Sequence, residues 1–184
     1  MPSTEDPARQ GSSEGRQSGI IRTVEQLADS LAALACPSMV LVCVGHELRG
    51  DDAAGTVIGQ QLAGTLRWKV YNALSAPESF LMKIVADQPE SVLTIDAIDL
   101  GAEPGAMRLF QPEEIAGQTP STHGPGLTAY IRALEIMHPC RHAVLGIQPQ
   151  HLEVGRPLSE PVRRAVDTVV RALRELAESI NRSG

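Results

Sequence analysis

Aromatic side chains are almost missing from this chain: two Phe, two Tyr and one Trp make up 3% of 184 residues. A core with so few rings has to be packed from Leu, Val, Ile and Ala. Cysteine is as scarce. Cys36, Cys43 and Cys140 are an odd number without CxxC spacing, which favours a reducing compartment and small core residues over a disulfide framework. Basic residues are outnumbered 16 to 22, for a net charge of −6, which argues against general affinity for nucleic acid or an anionic membrane. No apolar run approaches the length of a membrane span. The opening stretch "MPSTEDPARQGSSEGRQSG" has no apolar segment of the kind a secretory leader needs, so the cytoplasm is the expected location. GxGxxG, GK[ST] and GxSxG are absent as well, which removes dinucleotide, P-loop and nucleophile-elbow chemistry from the expectations.

What is present fits one domain with a proper core. Residues 1–19, rich in Ser, Gly, Pro and charge, predict a disordered N-terminal tail, and 20–184 a single domain. An additional helix is predicted over 23–35, where Val24, Leu27, Ala28, Leu31 and Leu34 share one face. Thr23 and Gln26 fit a capping box at its start, and Pro37 marks its end. "MVLVCVG" (39–45), "WKVYNAL" (68–74), "SVLTIDAID" (91–99), "AMRLFQ" (106–111) and "HAVLGIQP" (142–149) predict strands, the fourth at a sheet edge. Between them, helical spacing recurs at Ala54, Val57, Ile58 and Leu62, over 78–86, and at Leu127, Tyr130, Ile131 and Leu134. A long amphipathic helix is predicted from about Glu160 to Ile180. Helices alternating with uniformly apolar strands predict a three-layer α/β/α sandwich around a mostly parallel twisted sheet of about five strands.

In such sheets ligands collect beyond the carboxyl ends of the strands. The first strand is followed by His46, Glu47, Asp51 and Asp52, and the second by Ser75 and Glu78 after its own Asn72. The third ends in Asp96 and Asp99, and the last is followed by Gln148. Asp96 closes the run "VLTI", and a carboxylate starting from a buried strand needs a cation or several donors. His123 lies in a Ser/Thr/Gly/Pro loop that leaves its ring free to aim into a crevice. Asp52, Asp96 and His123 together make a mixed O/O/N set suited to a borderline divalent metal such as nickel, zinc or manganese.

Plainer readings stand beside this one. One aspartate of Asp51–Asp52 would serve as a helix cap, Asp96 as a hydrogen-bonded strand end, and His123 as a solvated loop residue. His138 and His142, flanking Pro139–Cys140, predict an exposed helix-to-strand connection rather than a metal tract.

The stretches "VGHELRGDDAAG", "SAPES", "TIDAIDLG", "EPGAMRLF", "STHGPG" and "LGIQP", in this order over roughly residues 39 to 175, resemble the hydrogenase maturation proteases. These peptidases remove a C-terminal extension from the nickel-containing large subunit of [NiFe] hydrogenases. "SAPE" and "GIQP" look most like the branch serving hydrogen-evolving hydrogenases. The resemblance implies that Asp52, Asp96 and His123 are both the catalytic and the metal-contacting residues. It also implies that the metal is nickel already seated in the precursor, that no Ser or Cys nucleophile takes part, and that a monomer acts on the large-subunit precursor. Neither nucleic acid nor membrane would be involved. The chain departs from the family at His46, where Asn is usual, and at Ala53, where Gly is frequent. His46 is expected to replace a polar loop residue rather than to add a metal donor, and Asp51 is expected to be the structural cap. Two other functions remain in view: a non-cleaving module that checks nickel during assembly, and a metal-dependent hydrolase of small molecules.

Overall fold

Alternate residues along each central strand face opposite helical layers, and that alternation builds the molecule. The computed structural model describes residues 19–118 and 124–183. Strands β1 (Ile20–Ile21), β2 (Met39–Val44), β3 (Lys69–Leu74), β4 (Ser91–Ala97), β5 (Met107–Phe110) and β6 (Arg141–Ile147) form one sheet in the order β1-β5-β6-β4-β2-β3. β6, β4, β2 and β3 run parallel, and β5 is antiparallel to both of its neighbours.

Met39, Leu41 and Cys43 of β2, Leu93 and Ile95 of β4, and Ala143, Leu145 and Ile147 of β6 face one side. There they meet α1 (Val24–Leu31), α2 (Ala54–Leu62) and α6 (Glu160–Ser183). Val40, Val42, Val44, Val92 and Val144 face the other side, against α3 (Leu81–Ala86), α4 (Pro112–Gln118) and α5 (Gly124–Met137). The fold is thus α/β, with a mostly parallel sheet flanked by helices on both faces.

The predicted first helix forms as α1, with its capping box in place. Gln26 N–H donates to Thr23 Oγ1 at 3.2 Å, and Gln26 Oε1 accepts from Thr23 N–H at 3.2 Å. Three details depart from expectation. The fourth predicted strand, β5, is not an edge, because Ile20 and Ile21 pair with Arg108 and Met107 outside it. A further helix, α4, precedes the loop before His123. His142 is buried rather than exposed: β6 begins at Arg141, so the ring is drawn into the sheet beside Thr94, with Nε2 2.9 Å from Thr94 Oγ1 and a T-shaped contact to Tyr130. The predicted tail, up to residue 18, and His123 lie outside the described residues. Among those described, no helix is long and apolar enough to cross a membrane.

Candidate active site

The carboxyl ends of β3, β2 and β4 lie side by side, and the loop leaving β2 crosses them. Gly45 N–H donates to Leu74 O at 3.0 Å at the end of β3. The chain then forms a 3-10 turn, Gly50–Ala53, that runs directly into α2. His46 N–H donates to Asp52 O at 3.1 Å and closes the loop on itself. The seat of α2 depends on Gly55: a Cβ there would be driven into the carbonyl oxygens of Val44 and Ile95, at the ends of β2 and β4. Only a residue without a side chain lets the helix start this close to two strand ends.

The two adjacent aspartates are separated by what they meet. Asp51 is fully buried and accepts four hydrogen bonds, all from the connection between β6 and α6. Its Oδ2 accepts from Gln150 N–H (2.8 Å), His151 N–H (3.1 Å) and Ser159 Oγ (2.9 Å), and its Oδ1 from Ser159 N–H (2.6 Å). Asp51 therefore does not cap the helix that follows it. The N-cap positions there are Arg49 and Ala53, and neither makes a side-chain cap bond. Its role is a clasp between two distant loops. Asp51 N–H donates to His151 O (3.0 Å), and Gly155 N–H to Leu48 O (2.8 Å), which zip the same loops together. Gly50, at φ +57°, makes the approach possible, since a Cβ there would stand 2.6 Å from His151 Nδ1.

Asp52 is equally buried, and Arg49 Nη1 stands 3.9 Å from its Oδ2. That separation is a Coulombic contact rather than a hydrogen bond. Asp96 is buried at the penultimate position of β4, and its Oδ1 accepts from Ala97 N–H at 2.8 Å. It shares the parity of Val92 and so sits on the sheet face that α5 covers. The turn carrying Asp52 packs against β4, and Cys43 of β2 pairs with Ile95. Two buried carboxylates thus stand at neighbouring strand ends. His123, the third predicted member, lies outside the described residues, immediately before α5. Among the described residues no group of three or more His, Cys, Asp or Glu is disposed to hold a metal. Asp52 and Asp96 are the two members of the expected set that lie among the described residues.

Gln148 and His46 bond within the fold. Gln148 Oε1 accepts from Leu100 N–H (2.6 Å) and Ala102 N–H (3.3 Å), while its Nε2 donates to Asp99 Oδ1 (3.2 Å) and Pro149 O (3.1 Å). His46 Nδ1 accepts from Leu48 N–H at 3.3 Å, in keeping with a loop-shaping residue. Nothing favours a thiolate nucleophile: burial pushes the Cys43 thiol up to about 12, and Cys140 is also shifted upward, chiefly by burial. Ser159 Oγ is held as a donor to Asp51. Sequence reasoning missed the partners of that clasp, His151 and Ser159. The signal for Ser159 was available, since Ser followed by Glu160–Pro161 is a helix-start pattern.

The HycI hydrogenase maturation protease model matches residues 58–175. The hydrogenase 3 maturation protease of Escherichia coli K12 is 34% identical over 142 residues, covering 73% of this chain and 87% of that protein. A putative hydrogenase maturation protease of Methanocaldococcus jannaschii is 27% identical over 166 residues, covering 85% and 96%. The crystal structure of a [NiFe] hydrogenase maturation protease from Thermococcus kodakarensis superposes with a TM-score of 0.72 at 26% identity, covering 83% of this chain and 98% of that one. An α/β sheet with buried acids at its strand ends, together with this likeness across most of the chain, places the protein in the hydrogenase maturation protease family, as an endopeptidase of hydrogenase processing.

Proposed function

We propose that this protein cuts a C-terminal extension from the large-subunit precursor of a [NiFe] hydrogenase of the hydrogen-evolving type, after nickel has been inserted. Asp52, Asp96 and His123 form the site in this reading. The observation that carries it is the pair of fully buried carboxylates, Asp52 and Asp96, at neighbouring strand ends of an endopeptidase fold. Two buried carboxylates at one rim of the sheet favour a nearby positive charge. Nickel held in the precursor supplies such charge at the moment of recognition, so the metal belongs to the substrate.

With the precursor docked, Asp52 and Asp96 anchor the metal-bearing region and His123 adds a nitrogen ligand. The scissile bond is thereby fixed against the crevice. A metal ion in that position polarises the carbonyl or a water molecule for attack. The fixed geometry supplies much of the rate by proximity. In this reading cleavage reports that nickel is in place. The partner is the precursor itself, and one copy of the chain acts in the cytoplasm without nucleic acid or membrane.

The test is incubation with nickel-loaded and nickel-free precursor, followed by intact-protein mass spectrometry. Loss of a C-terminal fragment from the loaded form alone is the expected result. Equal cleavage of both forms would remove the nickel requirement, and a complex without any mass loss would favour a checking module.

A further inference from the structure

Among the described residues, six large apolar side chains are markedly exposed: Leu48, Leu74, Met82, Ile136, Met137 and Val154. Three of them lie on the carboxylate loop or on segments whose backbone is hydrogen-bonded to it. Leu48, 65% exposed, belongs to that loop, three residues before Asp51. Val154, 75% exposed, precedes Gly155, whose N–H donates to Leu48 O at 2.8 Å. Leu74, 46% exposed, ends β3 and accepts from Gly45 N–H, the first residue of the loop, at 3.0 Å.

Leu74 is also strained. Its φ is +51°, a region that a branched side chain rarely adopts. The pairing of β2 with β3 jumps from Cys43–Asn72 to Val44–Leu74, so Ala73 is an inserted residue. That irregularity turns Leu74 outward while Ala73 is buried. Gln88 is the other described non-glycine residue at positive φ, and it follows a helix end, where such a conformation is ordinary. The backbone of Leu74 holds the loop through Gly45 N–H, but its exposed side chain packs on little, and such strain gathers at sites of function.

Charge close by is internally matched. Glu47 Oε1 accepts from Gln60 Nε2 at 2.7 Å, and Glu153 pairs with Arg156 at 2.6 Å. The rim therefore offers apolar surface rather than a net charge to a ligand.

We infer that Leu48, Leu74 and Val154 form an apolar subsite that grips apolar side chains of the protein substrate flanking the scissile bond. The occupant is an extended, apolar stretch of that substrate. An endopeptidase must hold a polypeptide, and these side chains border the loop that carries Asp52. The inference rests on the peptidase reading above. Burial of the three side chains on docking drives capture, and the carboxylates act only on a chain so held.

The test compares the wild-type protein with Leu48→Ser/Val154→Ser, with Leu74→Gly, and with Ile136→Ser as a control on the far end of α5. Nickel-loaded precursor is titrated, and thermal midpoints are recorded for each variant. The double variant should raise KM about tenfold or more with kcat within about twofold. Leu74→Gly should also raise KM while its midpoint stays level or rises, because glycine relieves the strain. Ile136→Ser should change neither constant. If the wild type cleaves the precursor and KM is unchanged in the double variant and in Leu74→Gly, the subsite is wrong and the peptidase reading stands. If the wild type does not cleave loaded precursor, both fall.

Discussion

Asp51 and Asp52 are chemically identical neighbours that the fold treats in opposite ways. Four donors converge on Asp51 from a connection about a hundred residues further along the chain, so its charge is fully accommodated. Asp51→Asn keeps the shape but turns an amide N–H₂ toward N–H donors, leaving buried groups without acceptors. The expected cost is about 3 kcal/mol, or a fall in thermal midpoint of about 6–12 °C for a chain of this size, measured by calorimetry. The sequence singled out both aspartates because one cap could not explain two acids. What it could not show was which loop Asp51 would reach, since residues 51 and 159 become neighbours only when β2 and α6 pack on one core. Asp96 was legible for a simpler reason: a carboxylate at the end of an uninterrupted apolar strand needs a partner wherever the fold places it.

At the scale of elements, regular patterns were easy to read and short ones were not. β2 and β4 announce themselves by uniform apolar runs, and α1 by its capping box. β1 has only two residues, too few for any periodicity, so β5 read as an edge until Ile20 and Ile21 were seen to cover it. α4 was given no element because only a few residues separate the strand at 106–111 from the loop before His123, although its Pro112, Glu113 and Glu114 are favourable at a helix start. His142 shows the cost of misjudging a boundary, because β6 starts at Arg141 and carries the ring inside. Burial lowers its pKa from 6.5 to about 4, so it is neutral in the fold. The unfolded chain binds this proton between those values and the folded protein does not. His142's contribution is therefore complete above about pH 6.5 and is lost as pH falls toward 4, by about 3 kcal/mol in all. Urea unfolding from pH 7 to pH 4 should show that loss, and His142→Gln should flatten the slope between pH 6.5 and 4. An unchanged slope would show that the ring is not the group taking up the proton.

Over the whole molecule, the parallel strands deliver acidic residues to one rim, and the loops after β2 and β6 lock together around them. The absence of nucleotide and nucleophile-elbow motifs had already removed dinucleotide, P-loop and elbow chemistry, and the metal reading came from the strand-end residues Asp52, Asp96 and His123. The layered sheet followed from alternating elements, whereas the clasp between loops needed three-dimensional packing to become visible. The central claim is that Asp52 serves catalysis while Asp51 serves the fold. Intact-protein mass spectrometry of nickel-loaded hydrogenase precursor, incubated with the wild-type chain or with Asp52→Asn, tests it most directly when thermal midpoints are recorded alongside. The account predicts release of the C-terminal fragment by the wild type and a loss of at least about a hundredfold in rate for Asp52→Asn, with a cooperative thermal transition showing that the variant is folded. Cleavage by Asp52→Asn at the wild-type rate would contradict it.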